Sequence, residues 1–159
     1  MDQIKVKEAT LYDFRELTDL SEEFWREHWQ GEKHSKFDWE FCHENFKAYC
    51  VGVQANVLVA WEDKQMIGYS VAFLTPLHWT KELRCTISYN YIKPDFRKKG
   101  VMDQFIENHE HWARRNKCID MNLGDGAQHK GKFSLVAHAL GFNQIGNDCY
   151  KVLEYEKED

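Results

Sequence analysis

Between residues 83 and 115 the chain passes from a strand pattern through a cationic loop into an amphipathic helix. In residues 83–92, Cys85, Ile87, Tyr89 and Tyr91 alternate with Thr86, Ser88 and Asn90, the period-two signature of a strand with two unlike faces. After the loop, Met102, Phe105, Ile106, His109, Trp112 and Ala113 recur at helical spacing. This join of strand, cationic loop and helix is the strongest local signal in the chain.

The surrounding segments supply the remaining elements. Residues 4–7 read as a short first strand. Thr10 is placed to cap a helix, with Asp13 at the third helical position. Leu11, Phe14, Leu17, Leu20 and Phe24 then mark one face of that helix, with Gly31 just past its end. Trp39, Phe41, Phe46 and Tyr49 suggest a second, less regular helix from near Asp38. Residues 56–61 are apolar on both faces, as in an interior strand, and a turn leads to another strand at 66–75. There Ile67, Tyr69, Val71 and Phe73 oppose Gly68, Ser70 and Ala72, a face small enough to let something lie close. A loop with His78 and Trp79 comes next. A short strand at 118–123 and a helix marked by Phe133, Val136, Ala137 and Leu140 come after the central unit, the helix ending at Gly141. A closing strand at 150–154 precedes an acidic tail. The reading is one α/β domain over residues 1–159, without repeat or linker.

Composition narrows the function classes. With 159 residues, 43% of them hydrophobic and 30% charged, the chain is long and apolar enough for one core, which excludes disordered and low-complexity classes. A net charge of −5 argues against general nucleic-acid binding. No apolar run approaches the ~18 residues of a membrane span. The first residues lack a signal peptide's regions. Cys42, Cys50, Cys85, Cys118 and Cys149 are scattered and odd in number, which points to a reducing, cytoplasmic setting. His28, His34, Cys42 and His43 match no common zinc spacing, and no metal is expected.

Within this acidic chain, residues 93–100 hold Lys93, Arg97, Lys98 and Lys99 against one acid, Asp95. The helix that starts next leaves backbone N–H groups without intrahelical acceptors. Those donors, the helix dipole and the cations together suit a phosphate, and Gly100 would let it approach the backbone. A solvated basic loop capped by glycine is the plainer alternative.

This segment resembles the acyl-CoA-binding motif of the GNAT superfamily of N-acetyltransferases: Arg or Gln, two residues, Gly, one residue, then Gly or Ala. Arg97, Gly100 and Val101 fit, as do Ile92, Pro94 and Phe96 upstream, whereas Met102 stands where the family prefers Gly or Ala. Glu110-His111-Trp112-Ala113-Arg114-Arg115 and Leu140-Gly141-Phe142 resemble the family's next helix and the close of its last one. The order strand, two helices, three strands, helix, strand, helix, strand covers nearly the whole chain. The resemblance implies an α/β fold with a mixed, mostly antiparallel sheet flanked by helices. It implies acetyl-CoA (or another short acyl-CoA) as co-substrate, an amine acceptor, and often a homodimer. It places the pantetheine arm on the main chain of Tyr91 and Ile92, and the pyrophosphate on N–H groups of Arg97, Lys98, Lys99, Gly100, Val101 and Met102.

The same resemblance supplies no acid or base. The family's strand carboxylate falls on Thr86 and its tyrosine acid on Ala137, while His138 points elsewhere around its helix. Ser88 and Asn90, expected on the Thr86 face, are the remaining candidates to orient an amine or a water, with ordinary sheet-facing roles as the alternative. Residues 12–44 hold ten acids and four basic residues, a net of −6, which would draw in a cationic amine or else form the wet face of amphipathic helices. Trp25, Trp29, Trp39 and Trp79 either line a cleft or pack in the core. Two rivals stay open: a CoA-binding module without turnover, and a cofactor-free protein–protein interaction domain.

Overall fold

A computed structural model of the chain describes residues 4–28, 36–124 and 132–143. The expected closing strand, the acidic tail, Gly31, Trp29, His34, Cys149 and the side chain of Phe133 lie outside the described residues. The elements are β1 (Lys5–Glu8), α1 (Phe14–His28), α2 (Trp39–Val51), β2 (Ala55–Glu62), β3 (Gln65–Pro76), β4 (Leu83–Ile92), α3 (Val101–Arg115), β5 (Asp120–Leu123) and α4 (Lys132–Ala139). The strands form one sheet in chain order, antiparallel from β1 to β4, with β5 parallel to β4. The expected mixed, mostly antiparallel sheet is therefore present.

Helices cover both faces. On one, Phe14, Leu17, Leu20 and Phe46 of α1 and α2 pack on Val57, Val59, Tyr69, Val71 and Tyr91. On the other, α3 lays Val101 and Phe105 on Leu58, Ala60, Ile67 and Ile92, and Ile106 and Trp112 on Ala72, Cys85, Ile87 and Leu123. β2 thus buries alternate residues on both faces, as its unbroken apolar run requires. The small face of β3 is filled by α3, so the room read beside Ser70 and Ala72 belongs to the helix. Among the described residues, no helix is long and apolar enough to cross a membrane.

Two β-bulges redirect side chains that strict alternation misassigns. In β3 the partner of β2 steps from Gly68 to Met66, so Ile67 is an extra residue. It joins Leu58 and Phe105 on the α3 side instead of sharing the face of Tyr69. In β4 the partner of β3 steps from Ile87 to Tyr89, leaving Ser88 extra. Cys85 and Ile87 therefore face α3, whereas Tyr91 faces α1. Leu11 is also misplaced by helical spacing. It lies in a 3-10 turn before α1, whose tighter winding rotates it to 71% exposure. Phe41 and Val136 are exposed as well, while Ala137 and Leu140 pack inward.

Gly141 closes α4 at φ +87°, a backbone conformation that suits glycine. Its N–H reaches His138 C=O at 3.0 Å and the Phe142 N–H reaches Ala137 C=O at 3.0 Å, the paired bonds of a Schellman end. Leu140 and Phe142 then fold onto the core, which gives the Leu-Gly-Phe sequence its physical reason.

Candidate active site

β4 pairs with β5 only from Arg84 to Ile87, and the Gly124 N–H closes that ladder on Ile87 C=O at 3.0 Å. The bulge at Ser88 lies where the pairing stops. From Ser88 to Ile92, β4 keeps β3 on one side and has no strand on the other among the described residues. Backbone groups alternate along an antiparallel ladder, and the Lys93 N–H bonds Ile67 C=O of β3 at 2.9 Å. Tyr91 therefore turns its main-chain groups toward β3 as well, and Asn90 and Ile92 present theirs at the open edge. Of the expected pair, Ile92 lies with its main chain at the open edge and Tyr91 with its main chain toward β3.

The edge leads into the loop at residues 93–100, which a 3-10 turn at Pro94–Phe96 opens and α3 extends. The Arg97 N–H is used within that turn, bonding Pro94 C=O at 3.2 Å. The unpaired run therefore starts one residue later than expected. The N–H groups from Lys98 through Asp103 make no hydrogen bond to described residues, and the first bond into the helix is from Gln104 to Gly100 C=O, at 3.3 Å. Lys98 and Gly100 both adopt left-handed backbone, at φ +70° and +74°. A Cβ on Gly100 would meet no atom within 4 Å, so the glycine answers to its dihedral and to open space above it, not to internal crowding. Met102, the residue that departs from the motif, turns its side chain into the core beside Phe105 and Ile106, leaving its N–H outward.

Carboxylates of α1 and β2 hold three of the four cations of this loop. Arg97 donates through Nε to Ile92 C=O at 2.9 Å and through Nη2 to both Glu27 oxygens at 2.6 and 2.8 Å, with the guanidinium 5.8 Å from the Tyr91 ring centroid. Lys93 meets Glu23 at 3.2 Å, and Lys99 meets Glu62 at 3.5 Å while lying over Phe96. Partial burial pushes the Glu27 carboxyl up, but hydrogen bonds from Arg97 and Tyr91 outweigh it and hold the group below the usual range. Lys98 has no acidic partner among the described residues.

The model for the acetyltransferase (GNAT) family matches residues 14–142. The chain belongs to the GNAT acetyltransferase family. As such it is an N-acetyltransferase that moves an acetyl group from CoA to an amine, with acetyl-CoA as co-substrate. No curated protein sequence matches it. Solved structures of the same fold include AAC(6')-Iy in complex with the bisubstrate analogue CoA-S-monomethyl-acetylneamine, at 15% identity and TM-score 0.76, covering 96% of this chain and 99% of that one. The aminoglycoside 6'-N-acetyltransferase AAC(6')-Ih from Acinetobacter baumannii is 14% identical with TM-score 0.75, over 97% and 100% of the two chains. A transcriptional regulator from Bacillus halodurans C-125 is 17% identical with TM-score 0.77, over 95% and 100%.

In this GNAT chain the expected catalytic candidates separate. Thr86 shares the α1 side with Phe73, and its hydroxyl accepts from Thr75 Oγ1 at 2.9 Å. Ser88 sits in the bulge, half-buried. Asn90 lies on the α3 side, where its Oδ1 accepts from Ser70 Oγ at 2.5 Å. The three do not share a face. Ala137 packs within the core around Trp112 and brings no acid, and His138 is exposed. Among the described tryptophans, Trp39 stacks on His43 and donates to Asp19, Trp25 packs against Phe37, and Trp79 is 88% exposed on the β3–β4 connection. Among the described residues, no group of three His, Cys, Asp or Glu is placed to hold a metal.

Sequence reading missed a buried polar chain behind the site. His109 is 0% exposed, with its Nδ1 3.1 Å from Asn56 Nδ2 and its Nε2 2.7 Å from Ser70 Oγ. Burial pulls its pKa down to about 4, so the ring is neutral at pH 7. The available signals were a histidine on an otherwise apolar helix face and polar residues, Asn56 and Ser70, inside two strands that α3 covers.

Proposed function

We propose that acetyl-CoA lies along the open edge of β4, with its diphosphate on the N–H groups of Lys98, Lys99, Gly100, Val101 and Met102 and its pantetheine arm paired to the main chain of Asn90 and the N–H of Ile92, whose carbonyl Arg97 already holds. The observation that carries this is one of continuity: unpaired amides at the start of α3 run directly into a strand edge without a partner among the described residues. From Ile92 back to Ser88 that edge extends roughly 13 Å, at about 3.3 Å per residue, room for an extended arm to add like a further strand. The acetyl thioester would then sit near the Ser88 bulge, where β4 and β5 part.

Acyl transfer requires a neutral amine and a stabilised carbonyl oxygen. Neither Thr86 nor Ala137 supplies an acid or base, so proton removal passes to water held at the Ser88 bulge. For the acceptor we propose a cationic primary amine such as a polyamine or an aminoglycoside, the latter being the class named for two enzymes of this fold. The acidic α1–α2 region supports it, although Glu23 and Glu27 are paired to the CoA loop and Glu22 and Glu44 to Arg26 and Lys47. Glu16 and Glu40 have no ion pair among the described residues. Cytoplasmic residence is supported by the free thiols of Cys42, Cys50, Cys85 and Cys118.

Calorimetry with CoA tests the site. Gly100→Glu places a carboxylate against the diphosphate and is expected to weaken binding at least about tenfold, a change of ~1.4 kcal/mol. Its circular dichroism should remain that of the parent. Normal CoA binding by this variant would rule out the phosphate assignment. The missing acid and base favour one second reading, a module that binds CoA without turnover. Tight binding with no CoA released across a panel of charged and neutral amines would establish it.

A further inference from the structure

The buried chain behind β4 has a direction. With Asn56 Nδ2 donating to His109 Nδ1 at 3.1 Å, the ring carries its proton on Nε2 and donates it to Ser70 Oγ at 2.7 Å. Ser70 then has only its own proton to give, and it gives it to Asn90 Oδ1 at 2.5 Å. The Asn90 carboxamide is consequently held with oxygen inward and Nδ2 outward. That amide nitrogen has no hydrogen-bond partner among the described residues, and Asn90 belongs to the stretch of β4 that β5 no longer pairs. Three strands and one helix therefore fix the orientation of a single side-chain donor. Nothing else on that face of β4 between the bulge and Ile92 presents one.

From this geometry we infer that Asn90 donates an N–H to a carbonyl oxygen of the acyl-pantetheine arm, and that His109, acting through Ser70, is the positioning residue that keeps the donor outward. The inference rests on the CoA reading of the same edge. A pantetheine amide or thioester carbonyl is the matching chemistry, because such an oxygen accepts and has no proton to clash with the donor. The low pKa of His109 supports the arrangement, since the ring stays in one neutral form over the range in which an amine is acetylated. Neither Asn56, Ser70 nor Asn90 is titratable, so nothing else in the chain changes charge.

Nitrogen NMR of the parent protein should find His109 protonated at Nε2 and bare at Nδ1. The reverse tautomer would turn every bond around, put Asn90 Oδ1 outward and overturn the inference. Asn90→Ala should raise the Kd for CoA and the KM for acetyl-CoA by about tenfold, the worth of one well-placed hydrogen bond, and leave the KM for the amine unchanged. His109→Leu should weaken CoA binding in the same way, with His109→Gln, whose amide both donates and accepts, restoring it. If the parent protein binds no CoA, the site reading and this inference fall together. If the parent binds CoA and Asn90→Ala binds it with less than about twofold change, only this inference falls.

Discussion

His109 is bonded on both ring nitrogens to neutral groups, and among the described residues no carboxylate favours its cation. Unfolding returns the ring to water, where its pKa is near 6.5, from a folded value of about 4. The unfolded state therefore binds more protons between those values, and stability rises with pH across that window. Its full contribution is present above pH 6.5 and is lost as the pH falls toward 4, at a cost of about 3 kcal/mol. Urea unfolding at pH 7 and pH 4.5 should show this decline in the parent protein and a flatter response in His109→Gln. The carboxylates Asp13, Glu27 and Asp120 are held below their usual range, so they too lose stability as the pH falls through and below the ordinary carboxylate range, equally in both proteins, and the difference between parent and variant reports on His109. An equal decline in both proteins would show that the ring is solvated in the native state.

At the scale of elements, the start of α1 shows what local sequence can specify. Asp13 is buried and accepts from the Thr10 N–H at 2.7 Å, from Thr10 Oγ1 at 2.9 Å and from Lys7 Nζ at 3.0 Å. Burial alone would raise its pKa, and the donors outweigh it. Asp13→Ala removes the acceptor and strands Lys7 and Thr10, for an expected loss of about 2 kcal/mol by chemical denaturation. Asp13→Asn, which keeps the volume and one acceptor, should lose less. Thr10 and Asp13 were legible because a cap acts over three residues. The bulge at Ser88 was not. Cys85, Ile87, Tyr89 and Tyr91 keep perfect alternation through it, and the switch of faces is imposed by how β3 and β5 pair with the strand. For the same reason Thr86, Ser88 and Asn90 read as one row although the structure divides them. The basic loop and the start of α3 were legible, because unpaired amides come with any helix start. Which amides remained free was not, since the Arg97–Pro94 bond depends on the 3-10 turn.

Across the whole molecule, the two helical layers meet at the loop proposed to hold CoA. Glu23 and Glu27, near the end of α1, reach Lys93 and Arg97, contacts that no local pattern encodes because the partners are 70 residues apart in both pairs. The chain carries a net −5, so an anionic ligand must be drawn by the local field of this loop against the average charge. Glu27 cancels part of that field, because its carboxylate holds the Arg97 guanidinium beside the loop proposed to bind the diphosphate. The pair is partly exposed and contributes under about 1 kcal/mol to stability. Glu27→Gln should therefore leave the melting temperature nearly unchanged and tighten CoA binding, most clearly at low ionic strength, where exposed charges are least screened. The Arg97 Nε bond to Ile92 C=O keeps the side chain in place after the substitution. Titration of CoA into parent and variant at low and high salt decides the matter. Weaker binding by Glu27→Gln at both salts would mean that the α1 carboxylate shapes the loop for CoA, and that the cost to the field is secondary.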